Sequence, residues 1–167
     1  MAEDAREAWG GHDARELVSP CGLYCRLCAL RARVPGQAQA LRETLKKDAI
    51  EYWGPGVPGF KEFWGFLDML TTEDGGCPGC RAGGGPPGCR VRRCAAEKGL
   101  KLCVDCPDWP CPSLRFLIDS YPSFLDDSRR LREVGIEAWL AEQEERARKG
   151  FCYADVRRPA AAPGVEG

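Results

Sequence analysis

Ten of the chain's eleven cysteines fall in three short groups, and this clustering constrains the fold more than any other feature of the sequence. Two cysteines separated by two residues can reach one metal ion when a tight turn joins them. The Pro and Gly of the CPGC stretch at 77–80 favour such a turn. The spacing therefore predicts thiolate metal ligands. The candidate ligands are Cys21, Cys25, Cys28, Cys77, Cys80, Cys89, Cys94, Cys103, Cys106 and Cys111.

Thiolate-only sites serve both tetrahedral zinc and iron–sulfur clusters, so the spacing alone does not choose the metal. We expect zinc as the cofactor, with a [4Fe-4S] cluster as the alternative. The ten thiols could form two four-Cys sites with two spare residues, one four-Cys site with a six-Cys binuclear site, or three smaller sites with open positions. The number of sites and the pairing of the cysteines stay open at this point.

The compartment decides how the cysteines are interpreted. No stretch approaches the roughly 20 apolar residues that span a bilayer, and the charged start lacks the apolar stretch of a secretory signal. We therefore expect a cytoplasmic protein that does not contact a membrane. In a reducing compartment clustered thiols bind metal more often than they form disulfides. The formal net charge of −1 provides no general attraction to nucleic acid.

The length of 167 residues allows one domain with loose ends. We predict a mostly α fold with irregular Cys-rich loops, forming a small metal-stabilised single domain with a C-terminal helical arm. The expected division is a flexible lead over 1–18, a Cys-rich metal-binding domain over 19–149 with the arm at about 112–149, and a flexible tail over 150–167. The single histidine, His12, lies in the lead and is not expected to be a ligand.

Apolar periodicity predicts amphipathic helices over 37–53 and 60–70. Ala, Glu and Lys favour a short helix over 90–99, and Gly99 is expected to end it. The stripe on the second helix is expected to pack inward; it consists of Phe60, Phe63, Trp64, Leu67 and Leu70. After Cys111 three segments alternate apolar and charged positions and are predicted to form the helical arm: PSLRFLID, SFLDDSRRLREVG and IEAWLAEQEERARKG. The residues expected to face inward there are Leu131, Val134, Trp139 and Leu140.

Basic residues near the later cysteines are expected to offset the negative charge of the thiolates. They are Arg81, Arg90, Arg92, Arg93, Lys98 and Lys101. A patch that contacts phosphate is the alternative interpretation of the same residues.

The C-x3-C-x2-C spacing of Cys21, Cys25 and Cys28 is also that of radical S-adenosylmethionine enzymes. Those enzymes continue into a barrel of strand and helix repeats, for which this chain is too short, and Leu27 stands where they usually have an aromatic residue. Carboxylates near the motifs are expected to be solvated surface groups; they are Glu43, Glu51, Glu62, Asp105 and Asp108. The sequence identifies no catalytic residue.

Four motifs together resemble one family: SPCGLYCRLCAL, CPGC, CRVRRCAAEKGLKLCVDCPDWPCPSL and EVGIEAWLAEQEER. This is the Cys-rich bacterial and archaeal family catalogued as domain of unknown function 3795. The resemblance covers roughly Pro20 to Arg146 and implies that the ten candidate ligands occupy the family's cysteine positions. It implies no reaction. Some relatives continue into a further zinc ribbon, whereas this chain keeps one cysteine there, Cys152, which is not expected to be a ligand.

The first functional hypothesis is a non-catalytic, metal-stabilised module whose helical arm and aromatic face dock a protein partner. The alternative is an iron–sulfur protein that carries electrons or assists a redox enzyme. A second alternative is a zinc protein that binds nucleic acid through Arg90, Arg92 and Arg93, although a nucleic-acid partner is not expected. No small-molecule substrate is inferred.

Overall fold

The computed structural model describes residues 13–159. This part of the chain is helical, with no strand and one isolated antiparallel bridge between Val18 and Tyr24. Its α-helices are α1 (Ala29–Ala32), α2 (Val34–Lys47), α3 (Ile50–Trp53), α4 (Phe60–Leu70), α5 (Arg90–Glu97), α6 (Arg115–Ser120) and α7 (Phe124–Arg148). Short 3-10 turns occur at Ala14–Leu17, Cys25–Leu27, Gly54–Gly56, Cys80–Ala82, Cys103–Asp105, Pro112–Leu114 and Tyr153–Asp155. The mostly α fold predicted from the sequence is confirmed.

Helix α7 folds back on itself at Gly135, whose backbone angles of φ 78° and ψ 166° are not helical. The Trp139 indole N–H donates to the carbonyl oxygen of Asp127 at 3.1 Å, and Arg146 donates to the Asp127 carboxylate at 3.1 Å. These bonds join the two halves of the helix side by side. Of the residues predicted to face inward, Leu131, Trp139 and Leu140 are buried. Val134 is partly buried and packs against them.

Two buried clusters connect the Cys-rich loops to the folded-back helix. The first joins the segment around the first cysteines to α7; its buried members include Leu17, Val18, Tyr24, Leu27, Leu131, Trp139 and Leu140. The second joins α5, α6 and the start of α7 through Val91, Leu114, Leu117 and Phe124. Trp109 and Tyr121 pack against both clusters. Because burial of one large aliphatic side chain contributes about 1.5–3 kcal/mol, these contacts hold the loops against the helices.

The helix predicted over 37–53 is two helices in the structure. Helix α2 begins earlier, at Val34, with Pro35 in the first turn, where its missing N–H removes no hydrogen bond. The helix is interrupted at Ala49, which has a left-handed φ of 56°, and α3 follows. The prediction of one continuous helix is therefore wrong, since a single left-handed residue leaves no trace in the apolar periodicity.

Helix α4 spans the residues predicted for it, but its aromatic stripe is buried only in part. Leu67 is 4% exposed, and the rings of Phe60 and Trp64 are stacked at 5.5 Å and partly buried. Phe63 is 45% exposed and Phe66 is 60% exposed. The expectation that the whole stripe packs inward is therefore wrong for Phe63, because no other element of the described chain covers that side of the helix.

Packed residues lie beyond both boundaries predicted for the central domain. In the predicted lead, Leu17 and Val18 are buried, whereas residues 1–12, with His12, lie outside the described residues. In the predicted tail, Tyr153 is buried and its hydroxyl accepts a hydrogen bond from the Tyr24 N–H at 3.1 Å. Residues 160–167 also lie outside the described part of the chain.

Candidate metal centre

Two of the C-x2-C pairs have the same local backbone. In Cys25/Cys28 and in Cys103/Cys106 the N–H of the second cysteine donates to the carbonyl oxygen of the first at 3.0 Å, closing a 3-10 turn. The backbone angles at the second cysteine also agree, with φ −75° and ψ 140° at Cys28 and φ −73° and ψ 134° at Cys106. Each turn thus carries a thiol at both ends, as a knuckle for one metal ion requires.

The first thiol group consists of Cys25, Cys28, Cys77 and Cys80. The Cys25 Sγ lies 3.9 Å from the position of a Cβ at Gly79, next to Cys80. The neighbouring Cys80 lowers the pKa of Cys25, and Cys25 in turn raises the pKa of Cys80. Desolvation raises the pKa of Cys28, and the neighbouring Cys25 and Cys77 thiols raise it further. The structure therefore brings together two C-x2-C pairs that are far apart in the sequence.

Glycines wrap closely around the first thiol group. A Cβ atom at Gly84 would lie 2.8 Å from the Cys77 Sγ and 2.9 Å from the backbone nitrogen of Gly79. A Cβ at Gly85 would lie 3.1 Å from the Cys80 Sγ. The Arg92 guanidinium fixes this loop by donating to the carbonyl oxygens of Gly84 and Cys80. The Gly-rich stretch after the CPGC turn thus provides the close approach of backbone to sulfur that only glycine allows.

The second thiol group consists of Cys94, Cys103, Cys106 and Cys111. Helix α5 carries the first of these, the 3-10 turn carries the next two, and the last precedes α6. All four line a cavity of about 30 Å³, whose wall also includes Lys98, Trp109 and Leu114. The predicted short helix over 90–99 is confirmed, and Gly99 ends it with a φ of 64°.

Cys21 and Cys89 belong to neither group and are neighbours of each other. The Cys21 Sγ is 3.0 Å from the Ser19 Oγ. Burial raises the pKa of Cys21, and the nearby Cys89 and Cys25 thiols raise it further. Burial raises the pKa of Cys103 to about 12, with Cys21 the next contributor. Cys21 is therefore near both groups. Its position fits two of the arrangements that the sequence allows: two four-Cys sites with two spare thiols, or a four-Cys site with a six-Cys binuclear site.

Several of the predicted charge-compensating residues contact the thiol groups. Lys98 Nζ lies 3.5 Å from the Cys106 Sγ and 2.8 Å from the Asp108 carboxylate. Arg81 donates to the Val18 carbonyl oxygen at 2.7 Å, and its charge helps to lower the pKa of Cys25. Four of the predicted residues are exposed: Arg90, Arg93, Lys98 and Lys101.

Arg31 acts on the first thiol group and is not among the residues predicted from the sequence. Its guanidinium donates to the Cys77 carbonyl oxygen at 2.8 Å, and its charge also lowers the pKa of Cys25. The sequence contained a signal for this contact. Arg31 follows Cys28 by three residues, about one helical turn, and Cys28 is the residue directly before α1.

The residues fit a thiolate-bound metal in donor type and in their buried surroundings. Each group has a buried N–H without a hydrogen-bond partner nearby: Arg31 Nε beside the first and Trp109 Nε1 beside the second. Buried donors are normally paired, and a thiolate sulfur is an acceptor. Between residues 13 and 159, no group of three or more Cys, His, Asp or Glu side chains is positioned to hold a metal ion.

Cys152, which was not predicted to be a ligand, is fully buried, with 0% exposure. It is close enough to Cys28 to raise that residue's pKa. Arg33 holds the surrounding segment by donating to the Asp155 carboxylate and to the Gly150 carbonyl oxygen. That Cys152 is not a ligand stays a prediction, but its burial was missed because residues 150–167 were expected to form a flexible tail.

Comparison with known proteins gives one match. A family model described as "Protein of unknown function (DUF3795)" matches residues 17–116, a span that holds all ten candidate ligands. No curated protein and no solved structure matches the chain. Among the described residues, no helix has both the length and the apolar character needed to cross a membrane.

Proposed function

The chain belongs to the family described as a protein of unknown function (DUF3795), as its motifs predicted, and we propose that it is a thiolate metal-binding protein that uses zinc. One ion is held by Cys25, Cys28, Cys77 and Cys80. The second is held by the group that consists of Cys94, Cys103, Cys106 and Cys111. The role is structural, with the ions replacing part of the hydrophobic core.

The observation that carries this proposal is the convergence of C-x2-C pairs from distant segments. The loop from Thr72 to Cys89 has few buried apolar side chains, and its glycines give up much conformational entropy on folding. A metal ion that joins Cys77 and Cys80 to Cys25 and Cys28 offsets that cost, since the binding free energy of structural zinc adds to the stability of the fold.

Closed sites with four thiolate ligands are typical of structural zinc, which supports zinc at both groups. The number of thiols supports the [4Fe-4S] alternative, in which the protein would carry electrons.

Removal of the metal tests the structural role. We expect a chelator such as EDTA to abolish most of the far-UV helix signal, and added zinc to restore it, because the Cys-rich loops anchor α5 and α7. A matched pair of variants tests the ligand assignment. Cys77→Ser should lose one equivalent of zinc, whereas Cys89→Ser should retain all of it. Unchanged helicity in the chelated protein, or equal zinc loss in both variants, would count against this arrangement.

A protein-interaction role is the second part of the proposal, and the exposed side of α4 supports it. Phe63, Phe66 and Met69 are each at least 40% exposed. Their spacing of three residues places them on one side of the helix, where they offer apolar surface to a partner. A protein partner would bury these side chains. Once a partner is purified, Phe66→Ser should weaken its binding while zinc content and unfolding midpoint stay unchanged. Equal affinity of the variant and the wild type would remove α4 from the interface.

A further inference from the structure

The indole of Trp109 is held rigidly beside the second thiol group. Its ring packs against both buried clusters, and the Arg132 guanidinium lies over the ring at 5.2 Å from its centre. Together with the four cysteines of the group it lines the cavity of about 30 Å³. Its position is therefore fixed by packing.

The Trp109 Nε1–H is buried and has no hydrogen-bond partner among the described residues. Two other tryptophans show the usual arrangement: Trp53 Nε1–H donates to the Asp48 carbonyl oxygen at 3.0 Å, and Trp139 Nε1–H donates to that of Asp127 at 3.1 Å. A buried donor left unpaired costs free energy, and folded proteins rarely keep one. The unpaired donor thus calls for an acceptor that metal binding would supply.

We propose that Trp109 is a positioning residue of the second metal site, whose indole N–H donates a hydrogen bond to a ligand thiolate. The inference rests on the proposed function, because a protonated, metal-free thiol is a weak acceptor whereas a thiolate is a strong one. Cys94, Cys103, Cys106 and Cys111 are the candidate acceptors, since all four share the cavity with the indole.

Lys98 provides a second donor to the same group. Its ammonium lies 3.5 Å from the Cys106 Sγ and is oriented by Asp108 at 2.8 Å. Four thiolates around one divalent ion carry excess negative charge, which hydrogen bonds to sulfur offset. Trp109 and Lys98 together thus set the metal affinity of the second site. Trp109 adds no charge, and its ring forms part of the wall of the cavity that the four thiols share.

Zinc affinity in variants of the full-length chain tests the proposal. Trp109→Phe keeps the ring and removes the donor, and its control, Trp53→Phe, removes a donor that is already paired. Loss of a hydrogen bond to a ligand typically weakens metal affinity about 10- to 100-fold. In a chelator competition we expect that loss for one zinc ion in Trp109→Phe, and no change in Trp53→Phe. Equal affinity in Trp109→Phe and the wild type would overturn the proposal.

A spectroscopic readout on the wild-type chain separates a hydrogen bond from a packing effect. In protein loaded with ¹¹³Cd, the indole Nε1 proton of Trp109 should show a coupling to the metal through the thiolate sulfur. Weaker affinity of Trp109→Phe without this coupling would assign Trp109 a packing role and overturn the proposal. A wild-type chain that binds no zinc would refute the proposed function itself, whereas normal zinc binding without the coupling would refute this inference alone.

Discussion

Substitution of Gly84 by alanine tests whether the loop around the first thiol group is as tightly packed as the structure shows. The new Cβ would lie 2.8 Å from the Cys77 Sγ and 2.9 Å from the backbone nitrogen and oxygen of Gly79. The φ of Gly84 lies outside the left-handed region, so alanine adds no backbone strain of its own. The entire effect should therefore come from steric contact.

The magnitude follows from the displacement that the new atom requires. Ordinary van der Waals contact begins at 3.4 Å. The Cys77 sulfur and the Gly79 backbone must therefore each move by about 0.5 Å. Overpacking of this kind typically costs about 1–3 kcal/mol of folding free energy. The backbone atoms cannot rotate away, in contrast to the end of a flexible side chain. For a chain of this size the loss corresponds to a fall of roughly 2–12 °C in Tm.

The assay is thermal unfolding of zinc-loaded protein, followed by circular dichroism. Gly56→Ala is the matched control, because a Cβ at Gly56 has no atom within 4 Å and its φ is also outside the left-handed region. Its Tm should stay within about 2 °C of the wild type, as for surface substitutions without special contacts. A Gly84→Ala protein with the Tm of the control would refute the close packing of the loop.

Two further predictions concern the charged groups. Lys98→Met removes the ammonium beside the Cys106 sulfur. In a chelator competition, the variant should bind one zinc ion about 10-fold more weakly or worse. An unchanged affinity would show that the contact is incidental. Arg33 lowers the pKa of Asp155, so this ion pair stabilises the fold above the ordinary carboxyl pKa of 3.8, and the contribution is lost as the pH falls through the lowered value. Asp155→Asn should therefore speed amide hydrogen exchange around Cys152 at pH 7, and exchange as slow as in the wild type would contradict the role of the ion pair.

The sequence predicted those helices whose boundaries depend on local signals. Helices α4 and α5 were found because apolar periodicity marks the first and a closing glycine marks the second. The turn of α7 at Gly135 was not predicted. The interruption of the second predicted helix at Ala49 was missed, because alanine normally favours helix and its left-handed φ depends on tertiary packing.

The candidate ligands were chosen from cysteine spacing, which is a local property, and their role as ligands stays a prediction. Their division into two groups could not be predicted, because it depends on which distant segments meet. Cys25 and Cys80 become neighbours, and Cys94 and Cys103 line one cavity. The same reason explains why Trp109 was missed. Its role depends on the absence of an acceptor, which only the folded structure reveals.

The metal content and absorption spectrum of protein purified without oxygen test the central claim most directly. The proposed arrangement predicts one zinc ion per thiol group, about two per chain, and a colourless protein. Iron and labile sulfide near stoichiometry, with a broad visible band that bleaches on reduction, would contradict the zinc assignment and favour the electron-transfer alternative. A folded chain with neither metal would contradict thiolate metal binding altogether.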